Sequence, residues 1–202
     1  MLSQTKQPAM KKLPFILLIF ISVSVCSQDR SKFLYAEFSD LSITLWPLYK
    51  PFGSNFDPAL TLGGGIEYRE KKKTMLFQTA QLTGYTTEIM GQGFNLTTSI
   101  GYQYNLSSGI FAEGLLGVGA SFFFPVRETF VQDDNDNYVA AKPIRFISSV
   151  PMDIILGYKT GKYSLYLKYR YMMQGPYTEI MPALPTSLTG IGIRYNIQSS
   201  SK

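Results

Sequence analysis

The chain has 202 residues, of which 45% are hydrophobic and only 16% are charged. So few charges argue against a disordered or coiled-coil protein. The chain contains one Cys and no His, which excludes every mechanism that needs an imidazole, including the Ser-His-Asp triad and His-ligated zinc.

The first residues have the form of a secretory signal peptide. Lys11 and Lys12 precede an apolar run from Leu13 to Val25, which is shorter than the roughly 20 residues of a membrane-spanning helix. The pattern predicts a signal peptide at 1–27 and a single domain at 28–202, with the start at Met1 or Met10 left open. An alternative is a lipoprotein that carries its lipid on Cys26, although Val25 is an unusual residue at the preceding position.

Removal of the predicted signal peptide changes the charge balance. It takes away Lys6, Lys11 and Lys12 and no acids, so the 19 basic residues fall to 16 against 14 acidic ones, a net charge of +2. The basic pI of 9.2 is therefore largely a property of the signal peptide, and no nucleic-acid partner is predicted.

Apolar and polar residues alternate with period two along the rest of the chain, which is typical of strands with two unlike faces. The alternation is cleanest at 93–104 and 163–173, whereas the register of 33–45 and 74–85 stays open. No helical stripe of useful length occurs after residue 28. The sequence predicts eight strands, at 33–45, 60–69, 74–85, 93–104, 110–124, 150–159, 163–173 and 190–197.

The connections between these segments differ in length in a regular way. Short connections at 70–73, 105–108 and 160–162 alternate with longer ones, which are 46–59, 86–92, 125–144 and 174–186. A closed antiparallel meander gives this rhythm, and short periplasmic turns with long external loops are typical of outer-membrane barrels.

Tyrosines support the same arrangement. If residue 28 lies in the periplasm, several Tyr residues come to the periplasmic interface, where their apolar rings and wet hydroxyls suit the headgroup zone. High β-propensity alone is the alternative explanation. The predicted interface girdle is Tyr68, Tyr102, Tyr104, Tyr158, Tyr163 and Tyr195, and a second girdle at the other rim is Tyr85, Phe94, Phe122, Phe124, Tyr169 and Tyr171.

With these features the chain resembles the small eight-stranded outer-membrane barrels of the OmpA/OmpX type. Its last strand, Gly190 to Ile197, resembles the C-terminal signal that the barrel-assembly machinery recognises, although the chain then continues to Lys202. The resemblance covers about residues 33–197 and implies an all-β, eight-stranded antiparallel up-and-down transmembrane barrel. It also implies export to the outer membrane of a Gram-negative-type cell, with outer-membrane lipid and the assembly machinery as partners.

Two faces could line the interior of such a barrel. A soluble barrel would turn the apolar face inward, but the uncharged apolar face and the glycine-rich polar face favour a polar interior and a lipid-facing exterior. Because an eight-stranded barrel is narrow enough to be filled by side chains, charges there are expected to pair. The predicted inward charge network is Glu67, Arg69, Glu113, Asp153, Lys168, Arg170 and Arg194.

These observations predict a non-enzymatic structural or interaction protein with a plugged lumen, which contacts an unknown external ligand through its long loops. The alternatives are a narrow channel or lateral conduit for small solutes and, less favoured because His is missing, a lipid-modifying enzyme. No catalytic residue, cofactor or metal site is predicted, since Asp133, Asn135 and Asn137 lack the glycine and closing Glu of a calcium loop. Candidate adhesive residues in the loops are Trp46, Leu48, Tyr49, Phe52, Tyr138 and Tyr177.

Overall fold

Eight long strands of the computed structural model pair antiparallel in sequence order and close into a barrel when the first strand meets the last. This confirms the predicted eight-stranded antiparallel up-and-down barrel. The structure describes residues 31–43, 56–71, 73–87, 91–106, 108–124, 130–132, 138–140, 145–175 and 183–197.

Each barrel strand has 12 to 16 residues, more than the roughly 9–11 that cross a bilayer when tilted. The strands run around the barrel in the order β1-β10-β9-β8-β5-β4-β3-β2. The barrel strands are β1 (Lys32–Ile43), β2 (Pro58–Glu70), β3 (Thr74–Thr87), β4 (Gly91–Asn105), β5 (Ile110–Phe124), β8 (Arg145–Thr160), β9 (Tyr163–Gly175) and β10 (Leu184–Ile197).

The connection 125–144 contains a small antiparallel hairpin that the sequence did not predict. It consists of β6 (Phe130–Gln132) and β7 (Tyr138–Ala140). Each strand has three residues, too short for a period-two pattern to be recognised, but the intervening Asp/Asn residues are strong turn formers.

The two ends of the barrel differ. Connections 71–73, 106–109 and 161–162 lie at one end, called the turn end, and 44–57, 88–90, 125–144 and 176–183 lie at the other, called the loop end. Three of the four loop-end connections are long. At the turn end Gly161 has a φ of +62°, the left-handed conformation that a two-residue hairpin turn requires.

The outer surface is apolar, and the lumen is lined largely by polar and small side chains. Ile154, Ile191 and Ile100 are 68%, 62% and 61% exposed on the outside, while Thr97, Ser121 and Ser164 are buried inside. The same alternation that the sequence shows at 93–104 and 163–173 is therefore an alternation between outside and lumen.

Aromatic side chains inside the barrel lie over glycines on neighbouring strands. A Cβ on Gly101, for example, would overlap the ring of Phe77, its direct cross-strand partner. Glycine is needed at these positions because a ring and a second side chain cannot share so narrow an interior. The ring–glycine pairs are Phe33–Gly65, Tyr35–Gly63, Phe77–Gly101, Tyr85–Gly93, Phe111–Gly157 and Tyr166–Gly192.

One residue of the predicted second girdle faces the other way. Tyr85 points into the barrel and is 6% exposed, so its assignment to that girdle was wrong. Both faces of β3 carry apolar residues, with Met75 and Phe77 inside and Leu76 and Leu82 outside, so hydropathy did not fix the inward face. Phe94, Phe122 and Phe124 do lie exposed near the loop end.

Candidate functional site

Six charged side chains meet inside the barrel, and we call them the lumen network. Their charges cancel, since three are acidic and three are basic, and all six are buried. Burial of unpaired charges is very unfavourable, so the balance is what allows them to share this interior. The lumen network is Glu37, Glu113, Asp153, Lys168, Arg170 and Arg194.

The part of the network nearer the turn end is a bidentate ion pair. Arg194 donates from Nη1 and Nη2 to the two carboxylate oxygens of Glu113, at 2.6 and 2.8 Å. Arg194 is on β10 and Glu113 is on β5, three strands away around the barrel, so the pair crosses the lumen.

Four aromatic rings surround the guanidinium of Arg194. Its Cζ lies 4.5 Å from the ring centre of Phe33 and 5.5 to 5.7 Å from the other three. A cation over aromatic faces is stabilised by the ring quadrupoles, more so where water is excluded. The other three rings belong to Phe77, Phe111 and Tyr166.

The central part of the network is organised around Lys168. Its Nζ donates to both carboxylate oxygens of Glu37, at 2.8 and 2.9 Å, and lies 3.4 Å from Asp153 Oδ2. Asp153 also accepts two hydrogen bonds from Arg170, at 2.7 and 2.6 Å. Tyr166 donates to Glu37 at 2.9 Å. Each acid is therefore held by at least two donors, as buried carboxylates require.

Neutral groups extend these contacts to the opposite wall. Lys168 Nζ lies 3.4 Å from the amide oxygen of Gln81, and β9 and β3 are four strands apart in the eight-stranded barrel. Tyr35 donates to the same amide oxygen, and the Gln81 nitrogen donates to Thr97 at 2.8 Å. The hydrogen bonds thus span the full width of the lumen.

A small cavity lies beside Lys168 and Arg170, bounded also by Glu37 and Ser39. It leaves about 10 Å³ for the centre of a water molecule, which is room for one water.

The structure brings five of the seven predicted inward charges into the lumen network and leaves two outside it. Glu67 is only partly buried, at the turn end, and Arg69 is exposed. A β-bulge shifts the register of β2 between Glu67 and Arg69, so that Arg69 pairs with outward-facing Leu76. An extra residue in a strand reverses the faces beyond it, which is why the prediction for Arg69 was wrong.

Glu37 is a central member that the sequence analysis missed. It lies in the segment whose register was left open, because β1 carries apolar residues on both faces, with Phe33 and Tyr35 inside and Leu34 and Phe38 outside. The pairing of inward aromatic rings with glycines on the neighbouring strand is the signal that could have fixed the register.

The predicted girdle residues are at the turn end and are mostly exposed. Tyr102, Tyr104, Tyr158, Tyr163 and Tyr195 are 39% to 54% exposed on the outer face. Tyr163 and Tyr195 are direct cross-strand partners with ring centres 5.3 Å apart.

Tyr68 differs from these five because it lies at the β-bulge. It is partly exposed and donates to Gln78.

Other predictions fall outside the described residues. These are the signal peptide at 1–27 with Cys26, the Asp/Asn run at 133–137, and the side chains of Trp46, Leu48, Tyr49, Phe52, Tyr138 and Tyr177.

The described part of the chain has neither a metal-binding cluster nor a membrane-spanning helix. No group of three or more Cys, Asp or Glu residues there could hold a metal ion. In the same residues no helix is long and apolar enough to cross a membrane.

Solved structures with the same fold provide a comparison. The sequence matches no protein-family model and no curated protein. Neisserial surface protein A is similar, with a TM-score of 0.52 and 12% identity over 83% of this chain and 97% of that one. The attachment invasion locus protein Ail of Yersinia pestis has a TM-score of 0.44, with 14% identity over 84% and 99% of the two chains. The outer membrane enzyme PagL has a TM-score of 0.46, with 11% identity over 82% and 99%. The chain thus has the fold of the small eight-stranded outer-membrane barrels.

Proposed function

We propose that this chain is a non-enzymatic integral outer-membrane protein, with its lumen closed by the charge network and its long loops presented to the exterior. The observation that carries the proposal is an inversion of polarity. Charges are buried in the lumen, while large apolar side chains are exposed around the outside. Soluble proteins rarely expose apolar surface on this scale, whereas a bilayer requires it.

The outward faces of the barrel strands support the membrane assignment in more detail. The exposed charges on the outward faces, Lys32 and Arg69, both lie at the turn end of the described barrel. A Lys or Arg at the bilayer midplane would cost roughly 2–4 kcal/mol, but almost nothing at the interface. The charge distribution therefore matches a membrane with its boundary near the turn-end tyrosines.

The network supports a closed lumen. The Arg194–Glu113 ion pair and the Lys168–Gln81 hydrogen bond cross the barrel at two levels, and the neighbouring cavity has room for one water molecule. Opening a solute path would require breaking buried ion pairs, which is costly because each charge would lose its partner. An interaction role then falls to the loops, which carry function on rigid scaffolds.

Cell fractionation combined with gels of unboiled and boiled samples tests location and barrel together. We expect the chain in the outer-membrane fraction, with faster migration when unboiled. Protease treatment of intact cells is expected to cut within 44–57, 125–144 or 176–183. Recovery in the soluble fraction, or loops that stay uncut on intact cells and are cut only after lysis, contradicts the proposal.

A narrow channel or lateral conduit is the second candidate, and one feature of the barrel wall favours it. The pairing of β5 with β8 is interrupted between Leu116–Met152 and Gly119–Ser149. Pro151 has no N–H to donate to the facing strand, so the wall lacks a hydrogen bond opposite Gly117. Planar-bilayer recordings discriminate the two functions, because steady open-channel currents would contradict a closed lumen.

A further inference from the structure

Basic side chains are concentrated at the turn end of one side of the barrel, and we call them the basic rim. Lys32 begins β1, Arg69 is the second-last residue of β2, and Lys71 and Lys73 lie in the following turn. All four are exposed. Because β1, β2 and β3 are adjacent, the four side chains lie on the same side of the barrel.

The side chains of the basic rim are available for an external anion. The four salt bridges among the described residues all lie in the lumen network, and none includes a residue of the basic rim. Between positions 66 and 73 the sequence has two acidic residues and four basic ones. The basic ones are Arg69, Lys71 and Lys73 of the basic rim, together with Lys72.

The β-bulge in β2 places Arg69 on the outer surface. Strict alternation would point Arg69 into the lumen with Glu67, but the bulge pairs it with Leu76, which is 40% exposed on the outside. The bulge interrupts the hydrogen-bond ladder between β2 and β3, and as a result the Arg69 cation faces outward instead of being buried.

The depth of the basic rim matches a layer of lipid phosphates. Lys32 is two residues nearer the turn end than Leu34, which pairs with Tyr195. Its Cα therefore lies roughly 7 Å further along the tilted strand, on the turn-end side of the tyrosine girdle. Tyrosine rings occupy the headgroup boundary, and Lys and Arg extend their charged ends towards the polar side of that boundary.

From these observations we propose that the basic rim binds the phosphate headgroups of anionic phospholipids in the adjacent leaflet. The proposal rests on the membrane location proposed above. Lys and Arg side chains are cationic and donate hydrogen bonds, so both suit the phosphodiester of a headgroup. Each basic residue near an anionic surface adds attraction. Zwitterionic lipids have no net charge for the basic rim to select.

Electron paramagnetic resonance with spin-labelled lipids tests the selection. The full chain is inserted into phosphatidylcholine vesicles, and the association of spin-labelled phosphatidylglycerol is compared with that of spin-labelled phosphatidylcholine. We expect phosphatidylglycerol to be preferred by about threefold or more, and the preference to decrease with salt. Inorganic phosphate at millimolar concentration is expected not to compete, because it lacks the membrane anchor that concentrates the headgroup.

Two matched variants assign the effect to the basic rim. Lys32→Gln/Arg69→Gln/Lys73→Gln is expected to lose most of the preference, since it leaves only Lys71 of the basic rim. The control Lys50→Gln/Arg127→Gln/Lys142→Gln removes three positive charges from connections at the other end of the barrel and is expected to keep the preference. Equal binding of both lipids by the unmodified chain, or an equal loss in both variants, would overturn the proposal.

Heat-modifiability of the same vesicle samples separates this proposal from the proposed function. If the unmodified chain does not insert into phosphatidylcholine vesicles, the membrane-barrel proposal fails. If all three proteins insert and none prefers the anionic lipid, the barrel stands and the basic rim is refuted. The proposal would also be refuted if the unmodified chain bound soluble anionic glycan fragments but showed no preference for phosphatidylglycerol. That result would favour a cell-wall partner.

Discussion

Replacing Arg194 by Met removes the cation of a buried ion pair and leaves Glu113 without its main partner. The Arg194 side chain is 3% exposed and that of Glu113 is fully buried, so water cannot replace the lost bonds. Met has a similar length, and its thioether packs well among the four aromatic rings that surround Arg194. The variant therefore removes charge with little change in volume.

The expected loss of stability follows from the burial of the pair. Breaking a buried ion pair by removing one partner costs about 3–5 kcal/mol, because an uncompensated charge stays behind. Replacing both partners, in Arg194→Met/Glu113→Gln, removes the stranded charge and is expected to restore most of the stability. Arg69→Met removes an Arg that is exposed and is expected to change little.

Urea unfolding in phosphatidylcholine vesicles, followed by the mobility of unboiled samples on gels, measures these differences. With a urea dependence of about 1–3 kcal/mol per molar, the loss in Arg194→Met corresponds to a midpoint lower by about 1 M or more. The reasoning is refuted if Arg194→Met and Arg69→Met have the same midpoint. It is also refuted if the double variant is less stable than Arg194→Met, since that excludes the pairing as the cause.

Three further predictions concern the lumen and the barrel wall. Gly101→Val is expected to prevent folding because its Cβ overlaps an inward ring, whereas Gly114→Val faces open space outside and is expected to fold; equal yields of heat-modifiable protein would contradict this. Lys168→Met is expected to lower the unfolding midpoint while the loops are still cut by protease on intact cells, and an unchanged midpoint would argue against its role in the lumen network. Pro151→Ala supplies the missing donor between β5 and β8, and the new amide at position 151 is expected to be protected from exchange, as measured by NMR; rapid exchange of this amide would show that the interruption has another cause.

The strands that the sequence predicted best are those with one apolar and one polar face. In 93–104 and 163–173 the polar residues line the lumen and the apolar ones face outward, so alternation and burial coincide. Lys168 and Arg170 were assigned to the interior for this reason. Alternation is informative here because every side chain of a strand must choose between two environments.

The residues whose facing was predicted wrongly or missed lie where the alternation of apolar and polar residues does not show which face points inward. Glu37 and Tyr85 are in strands with apolar side chains on both faces, because the narrow lumen accepts aromatic rings wherever a neighbouring strand offers a glycine. Arg69 follows a bulge, and a single extra residue reverses the facing of all that come after it.

By itself the sequence determined the number of barrel strands, their antiparallel order and the asymmetry of the two ends, because period-two alternation and connection length are local properties of the chain. Which charges meet was decided only by the closed barrel. The partners Arg194 and Glu113 are 81 residues apart in sequence and three strands apart around the wall. They come together because closure at a fixed register brings opposite walls within the reach of two side chains.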